Sequence, residues 1–161
     1  MHFVSITYFH YLRPMSTTLC LCHFVFNTHR REMTINPQNE ESLYRFIWKI
    51  LKQKNCKLIR IGGIENHIHL LVDLHPSISM ASIAGEIKRL SSLWMNQSGL
   101  FPGFSRWGKE YFCFSKSPED KEKVINYIKN QKEHHKKESF DDEIKRIMNE
   151  EGFVWEDNLL T

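Results

Sequence analysis

The sequence predicts an α+β domain of the ferredoxin-like (RRM-like) type: an antiparallel sheet with helices packed on one face, in the order β-α-β-β-α-β, followed by C-terminal helices. Three observations carry this. Stretches of β-forming residues alternate with stretches of helical periodicity. Two of the strand-like stretches, CKLIRIGGI (56–64) and HIHLLVDL (67–74), are separated only by Glu65-Asn66, the length of a tight hairpin turn. The chain of 161 residues, 41% hydrophobic and 25% charged, suits one domain with its own core. An element order of this kind brings four strands into one sheet.

The elements follow in order. TTLCLCHFVFNTH (17–29) is rich in β-formers and predicts the first strand. In NPQNEESLYRFIWKILKQKN (36–55), Asn36 can cap, Pro37 suits the first helical position, and Leu43, Phe46, Ile47, Ile50 and Leu51 recur at helical spacing. The hairpin strands come next. SISMASIAGEIKRLSSLWMNQ (77–97) gathers Met80, Ile83, Ile87, Leu90 and Trp94 on one face and predicts the second helix. Gly99, Pro102 and Gly103 punctuate a loop, and YFCFS (111–115) predicts the fourth strand. SPEDKEKVINYIKNQKEHHKKE (117–138) predicts a continuous helix: Ser117 as cap, Pro118 at the first position, acids early and lysines late. Ser139 with Asp142 opens a further helix, SFDDEIKRIMNEEG, which Gly152 stops.

Composition narrows the function classes. No apolar run reaches the length of a membrane span, and residues 1–14 carry neither a basic n-region nor a small-residue cleavage site. A net charge of +3 permits a nucleic-acid partner without demanding one. Cys20, Cys22, Cys56 and Cys113 lack zinc-knuckle spacing and read as reduced packing residues of a cytoplasmic protein.

His67 and His69 stand two apart in a predicted strand, so both imidazoles project from one sheet face. Ile68, Leu70 and Val72 occupy the other. Neutral imidazoles so placed can grip one divalent metal, given a third ligand from elsewhere. Taken alone, such a pair is more often packing than ligation. Tyr127 and Gln131 are i and i+4 on a predicted helix, hence neighbours. An amide oxygen can complete a metal's coordination, and a tyrosine hydroxyl beside a metal-bound phosphate can attack it. Alone, Tyr127 reads as a half-buried aromatic, Gln131 as solvated, and His134, His135, Lys136 and Lys137 as a basic helix end.

Four stretches occur in an order that resembles a known family: FVFNTHRR, KLIRIGGIENHIHLLVDLHPSISMASIAGEIKRLSS, WGKEYFCFS and YIKNQKEHHKKESFDDEI. Over residues 15–155 the chain resembles the IS200/IS605-type transposases of insertion sequences, the single-tyrosine class of the HUH (histidine-hydrophobic-histidine) nucleases. The resemblance implies His67 and His69 as metal ligands, Gln131 as the third ligand and Tyr127 as the nucleophile. It implies Mg²⁺ or Mn²⁺, cleavage of single-stranded DNA with hairpins near the element ends, and a 5′-phosphotyrosine intermediate that is rejoined without hydrolysis. It also implies a homodimer in which the tyrosine helix of one subunit can complete the site of the other. Asn66 stands where relatives often carry an acid, and Glu110 and Phe112 where small residues are common. Residues 15–161 then form the transposase domain, and residues 1–14 are expected to be a poorly ordered extension or a misassigned start.

Arg30, Arg31, Lys88, Arg89, Arg106, Lys109, Lys136 and Lys137 are candidates for phosphate contact, and Trp107 and Tyr111 for stacking on unpaired bases. Individually, solvated charge and core packing are the commoner roles. Alternatives to the transposase are a non-catalytic or domesticated single-stranded nucleic-acid-binding protein and a hydrolytic metal nuclease.

Overall fold

A computed structural model describes residues 17–153; the expected extension at residues 1–14 lies outside the described residues. Strands β1 (Leu21–Asn27), β2 (Lys57–Ile64), β3 (His67–Asp73) and β4 (Phe112–Lys116) form one antiparallel sheet in the order β2-β3-β1-β4. Helix α1 (Glu40–Gln53) joins β1 to β2, and α2 (Met80–Ser98) joins β3 to β4. Three helices follow: α3 (Lys121–Lys129), α4 (Gln131–His134) and α5 (Phe140–Glu150). This is the α+β class predicted. No helix of the described residues is long and apolar enough to cross a membrane.

Strand alternation divides the sheet. Cys22, Phe24 and Phe26 of β1 and Ile68, Leu70 and Val72 of β3 form one core with Leu43, Ile47 and Leu51 of α1 and Ile83 and Ile87 of α2. The opposite face carries Leu21, Val25 and Leu71 together with the histidines. It is not left open. Val124 and Ile128 of α3 pack on Leu21 and Leu71, while Phe140, Ile144 and Ile147 of α5 pack with Val25 and Phe114. An amphipathic α5 must bury its stripe, and the second sheet face is the apolar surface within reach.

Glycines let these layers close. A Cβ at Gly62 would stand 2.8 Å from the Ile128 carbonyl oxygen of α3, and one at Gly63 would stand 2.2 Å from the His67 carbonyl oxygen. Bare backbone at both positions lets β2 lie against β3 and α3 lie against β2. The turn at Glu65-Asn66 pairs Ile64 with His67, as the spacing predicts.

Helix boundaries depart from expectation in two places. Helix α1 starts at Glu40, not Pro37. Asn36 instead caps the preceding turn, accepting from Asn39 N at 2.9 Å and donating its amide to the Leu100 carbonyl at 2.7 Å. The predicted helix over 117–138 is interrupted. Ser117 caps a turn through Asp120 N at 3.3 Å, α3 begins at Lys121, and the backbone leaves the helical path at Asn130 (φ −98°, ψ 15°) before α4 restarts. The last helix is as expected: the Ser139 hydroxyl accepts from Asp142 N at 3.2 Å, and Gly152 follows with φ +80°.

Candidate active site

β3 fixes the two histidines on the face covered by the C-terminal helices, and both are fully buried. Each is oriented through its Nδ1. His67 Nδ1 lies 2.7 Å from Asn66 Oδ1. His69 Nδ1 lies 2.9 Å from Nε2 of His23, which β1 presents on the same face. Both Nε2 atoms therefore point inward. Burial lowers the pKa of His69 to about 4. Its ring is neutral near pH 7, and its Nε2 has no hydrogen-bond partner among the described residues. An orphaned, buried imidazole nitrogen fits a metal ligand better than a packing residue.

The other predicted residues converge on the same point despite the break at Asn130. Gln131 is buried, with Oε1 3.1 Å from His67 Nε2. The Tyr127 ring stands 5.7 Å from that of His69, edge to face. Its hydroxyl donates to Glu143 and accepts from Arg146 Nη2 at 3.1 Å. Burial, followed by the Glu143 charge, raises the tyrosine's pKa. The tyrosine opens onto a cleft of about 520 Å³ that His23, Lys116, Asn126, His134 and Arg146 also line. Tyr127, His67, His69 and Gln131 are thus assembled within one chain.

Four further residues belong to the cluster and were not read from the sequence as part of the site. Glu143 of α5 is fully buried, with Oε2 3.3 Å from His67 Nε2 and Oε1 3.3 Å from His69 Nε2. Gln131 Nε2 donates to it at 2.9 Å. Burial alone would raise the Glu143 pKa, but the hydrogen bond with His135 and the close imidazoles of His67 and His69 hold it well below the usual range. His135 donates from Nδ1 to the Glu138 carbonyl at 2.9 Å and meets Glu143 Oε2 through Nε2 at 3.0 Å. Burial works against its protonation, yet the bond to Glu143 wins and its pKa is raised. Arg146 is held by Glu138 at 2.9 Å and lies 5.5 Å over the Tyr127 ring. His23 is the fourth. One signal was available for Glu143: it interrupts the apolar stripe of Phe140, Ile144 and Ile147. His23 depended on strand register.

The candidate DNA-contacting residues separate into groups. Trp107 corrects the sequence expectation. It is 4% exposed, packs with Phe26 and Phe104, and donates from Nε1 to Ser91 Oγ at 2.8 Å, so it offers no face to a base. Tyr111 is half-buried against Phe24 and Phe26. Lys88 braces the loop before β4, donating to the carbonyls of Lys109 and Glu110 at 2.9 and 3.2 Å. Arg31 pairs with Asp141 of α5 at 2.5 Å and covers Phe140. Arg30 is exposed, and Lys136 is exposed beside Glu133 at 2.8 Å. Arg89, Arg106 and Lys109 are exposed on one groove of about 760 Å³.

Residues 16–131 match the family described as IS200-like transposases. Over 121 residues the chain is 25% identical to a transposase for insertion sequence element IS200 of Salmonella typhimurium, covering 73% of this chain and 80% of the relative. The corresponding Salmonella typhi protein matches to the same extent. Among solved structures, a proposed transposase from Deinococcus radiodurans R1 superposes with a TM-score of 0.58 at 18% identity, over 73% of this chain and 95% of that one. A REP-associated tyrosine transposase bound to a REP hairpin superposes with a TM-score of 0.59 at 15% identity, over 76% and 72% respectively. These two establish likeness of fold.

Proposed function

The chain belongs to the IS200-like transposase family, and from that premise we propose that it cuts and rejoins single-stranded DNA through a covalent link between Tyr127 and a 5′-phosphate. One observation carries the reading. The Tyr127 hydroxyl is held by Glu143 and Arg146 beside the inward-facing nitrogens of His67 and His69.

In the step proposed, the Tyr127 oxygen attacks the scissile phosphorus, and the phenolic proton leaves. The bond from phosphorus to the 3′ oxygen breaks, and that oxygen departs as a 3′-OH after protonation. A different 3′-OH attacking the phosphotyrosine reverses the exchange and restores a continuous strand without hydrolysis. Arg146 donates to the Tyr127 oxygen and favours its negative charge. His67, His69 and Gln131 would hold a divalent ion, Mg²⁺ or Mn²⁺. When bound, such an ion offsets phosphate charge and orients the phosphate. Asn66 and His23 keep both histidine rings turned toward that position.

The basic groove of Arg89, Arg106 and Lys109 is the surface we assign to the DNA backbone, with Arg30 and Lys136 as further phosphate contacts. Its substrate is single-stranded DNA bearing hairpins, and the working form is a homodimer in which each tyrosine serves its own subunit. The intrachain contact of Tyr127 with Glu143 favours that placement over a shared one.

A covalent-capture assay tests the reading. Purified protein is mixed with labelled single-stranded DNA from both flanks of its own gene and Mg²⁺ or Mn²⁺. An adduct that survives denaturation and requires metal, Tyr127 and His67 is the expected result. Cleavage without an adduct would establish a hydrolytic nuclease. Binding alone, unchanged in Tyr127→Phe and His67→Ala, would leave a DNA-binding protein and overturn the catalytic assignment.

A further inference from the structure

The match to the family ends at Gln131, twelve residues before Glu143. Yet the fully buried Glu143 carboxylate occupies the point on which the site converges. Its Oε2 lies 3.3 Å from His67 Nε2, and its Oε1 lies 3.3 Å from His69 Nε2 and 2.9 Å from Gln131 Nε2. A carboxylate at this depth requires a compensating cation.

Positive charge can come from protons on the surrounding imidazoles, His135 Nε2 at 3.0 Å from Glu143 Oε2 among them, or from a divalent ion. The unpartnered nitrogen of His69 favours the ion. Asn66 Oδ1 can only accept, so His67 Nδ1 carries a hydrogen and Nε2 is the nitrogen turned to the site. It lies 3.1 Å from Gln131 Oε1 and 3.3 Å from Glu143 Oε2. His69 Nε2 faces Glu143 Oε1 with no hydrogen bond formed. An unpartnered buried nitrogen beside a buried carboxylate is reconciled by a cation between them. The spacings also agree. Ligand atoms bound at about 2.1 Å at right angles on an octahedral ion stand roughly 3 Å apart.

We propose that Glu143, delivered by α5, is itself a ligand of the divalent ion, alongside His67 and His69. The inference rests on the metal site proposed above and deepens it. Two neutral imidazoles and an amide bring no negative charge, whereas hard divalent cations favour carboxylate oxygen. Glu143 supplies that charge. Helix α5 is then part of the metal centre rather than a cover over it.

The test is metal binding by the full-length protein without DNA. Metal-free wild type, Glu143→Gln, Glu143→Ala and His67→Ala are titrated with Mn²⁺ alone, free ion is followed by electron paramagnetic resonance, and each variant's fold is checked by circular dichroism. Glu143→Gln preserves size and one acceptor oxygen while removing the charge, so it decides the matter should the alanine variant fail to fold. Wild type is expected to take up one Mn²⁺ per chain. Both Glu143 variants should bind at least about tenfold more weakly, a loss that even outer-shell partners can cause. Unchanged or tighter binding by Glu143→Gln, with His67→Ala still weak, would overturn Glu143 as a ligand and leave the histidine site standing. No uptake by wild type, or equal uptake by His67→Ala, would overturn the metal site and this inference together.

Discussion

The side-chain oxygen of Asn66 accepts a hydrogen bond from His67 Nδ1 at 2.7 Å, and this one contact decides which ring nitrogen faces the site. The amide oxygen is a neutral acceptor and orients the ring without adding charge. Asn66→Ala should therefore weaken Mn²⁺ binding by about 10- to 100-fold, the usual cost of losing an outer-shell partner. Asn66→Asp should retain binding. Titration of both variants checks this.

Tyr127→Phe removes the proposed attacking oxygen and keeps the ring. Adduct should fall to background while affinity for single-stranded DNA is unchanged in a binding assay. Arg146→Ala leaves the nucleophile but removes its hydrogen-bond donor at 3.1 Å. A hydrogen bond to a charged group is worth about 1.5–3 kcal/mol. The rate of adduct formation should drop by about 10- to 100-fold, measured under single-turnover conditions.

The intrachain assembly of Tyr127 with His67 and His69 predicts how mixed subunits behave. His67→Ala lacks a proposed metal ligand and Tyr127→Phe lacks the proposed nucleophile. A mixture of the two, co-refolded to exchange subunits, should form no more adduct than either alone. Recovery of adduct would mean that the tyrosine acts across a dimer.

Gly63→Ala places a methyl group 2.2 Å from the His67 carbonyl oxygen, with backbone on both sides of the clash. Overpacking of this kind costs about 1–3 kcal/mol. Denaturant unfolding should show at least that loss, and adduct formation should fall with it, because the displaced strand carries the proposed metal ligands.

Acid should destabilise the fold through His69. Burial lowers its pKa from 6.5 to about 4, so between those values the folded state binds fewer protons than the unfolded chain. Stability therefore rises with pH across that window, is fully present above 6.5, and is lost toward 4. The full difference is about 3 kcal/mol on a scale of 1.36 kcal/mol per pKa unit. Glu143, with its pKa lowered, adds to the loss at the acid end, while His135, with its pKa raised, opposes it above. Thermal melts from pH 7 to 4.5 should decline, and His69→Gln should decline less steeply.

Much of this was legible in the chain. Period-two alternation places His67 and His69 opposite Ile68, Leu70 and Val72, and the two-residue turn sets the hairpin register. Ser139 and Gly152 bound α5 by local chemistry alone. The break at Asn130 was not legible, because nothing local to Asn130-Gln131 forbids a helix; packing on the sheet overrides propensity there. Trp107 looked available because its hydrogen-bond partner, Ser91, lies on α2, where no local pattern links the two. His23 required the pairing of β1 with β3 across 46 residues. Glu143 was visible only as an acid inside an apolar stripe, a signal easily mistaken for a solvated position.

Because α5 is the last helix of the described residues and brings both Glu143 and Arg146, the site is finished late in synthesis. A nascent chain that has closed its four-stranded sheet already displays the strand histidines, and Tyr127 emerges soon after. Until residues 140–150 have left the ribosome and settled on the sheet, the tyrosine lacks both partners of its hydroxyl. The proposed capacity to cut is thereby tied to completion of the polypeptide, and a truncated product should be inert rather than a stray nuclease.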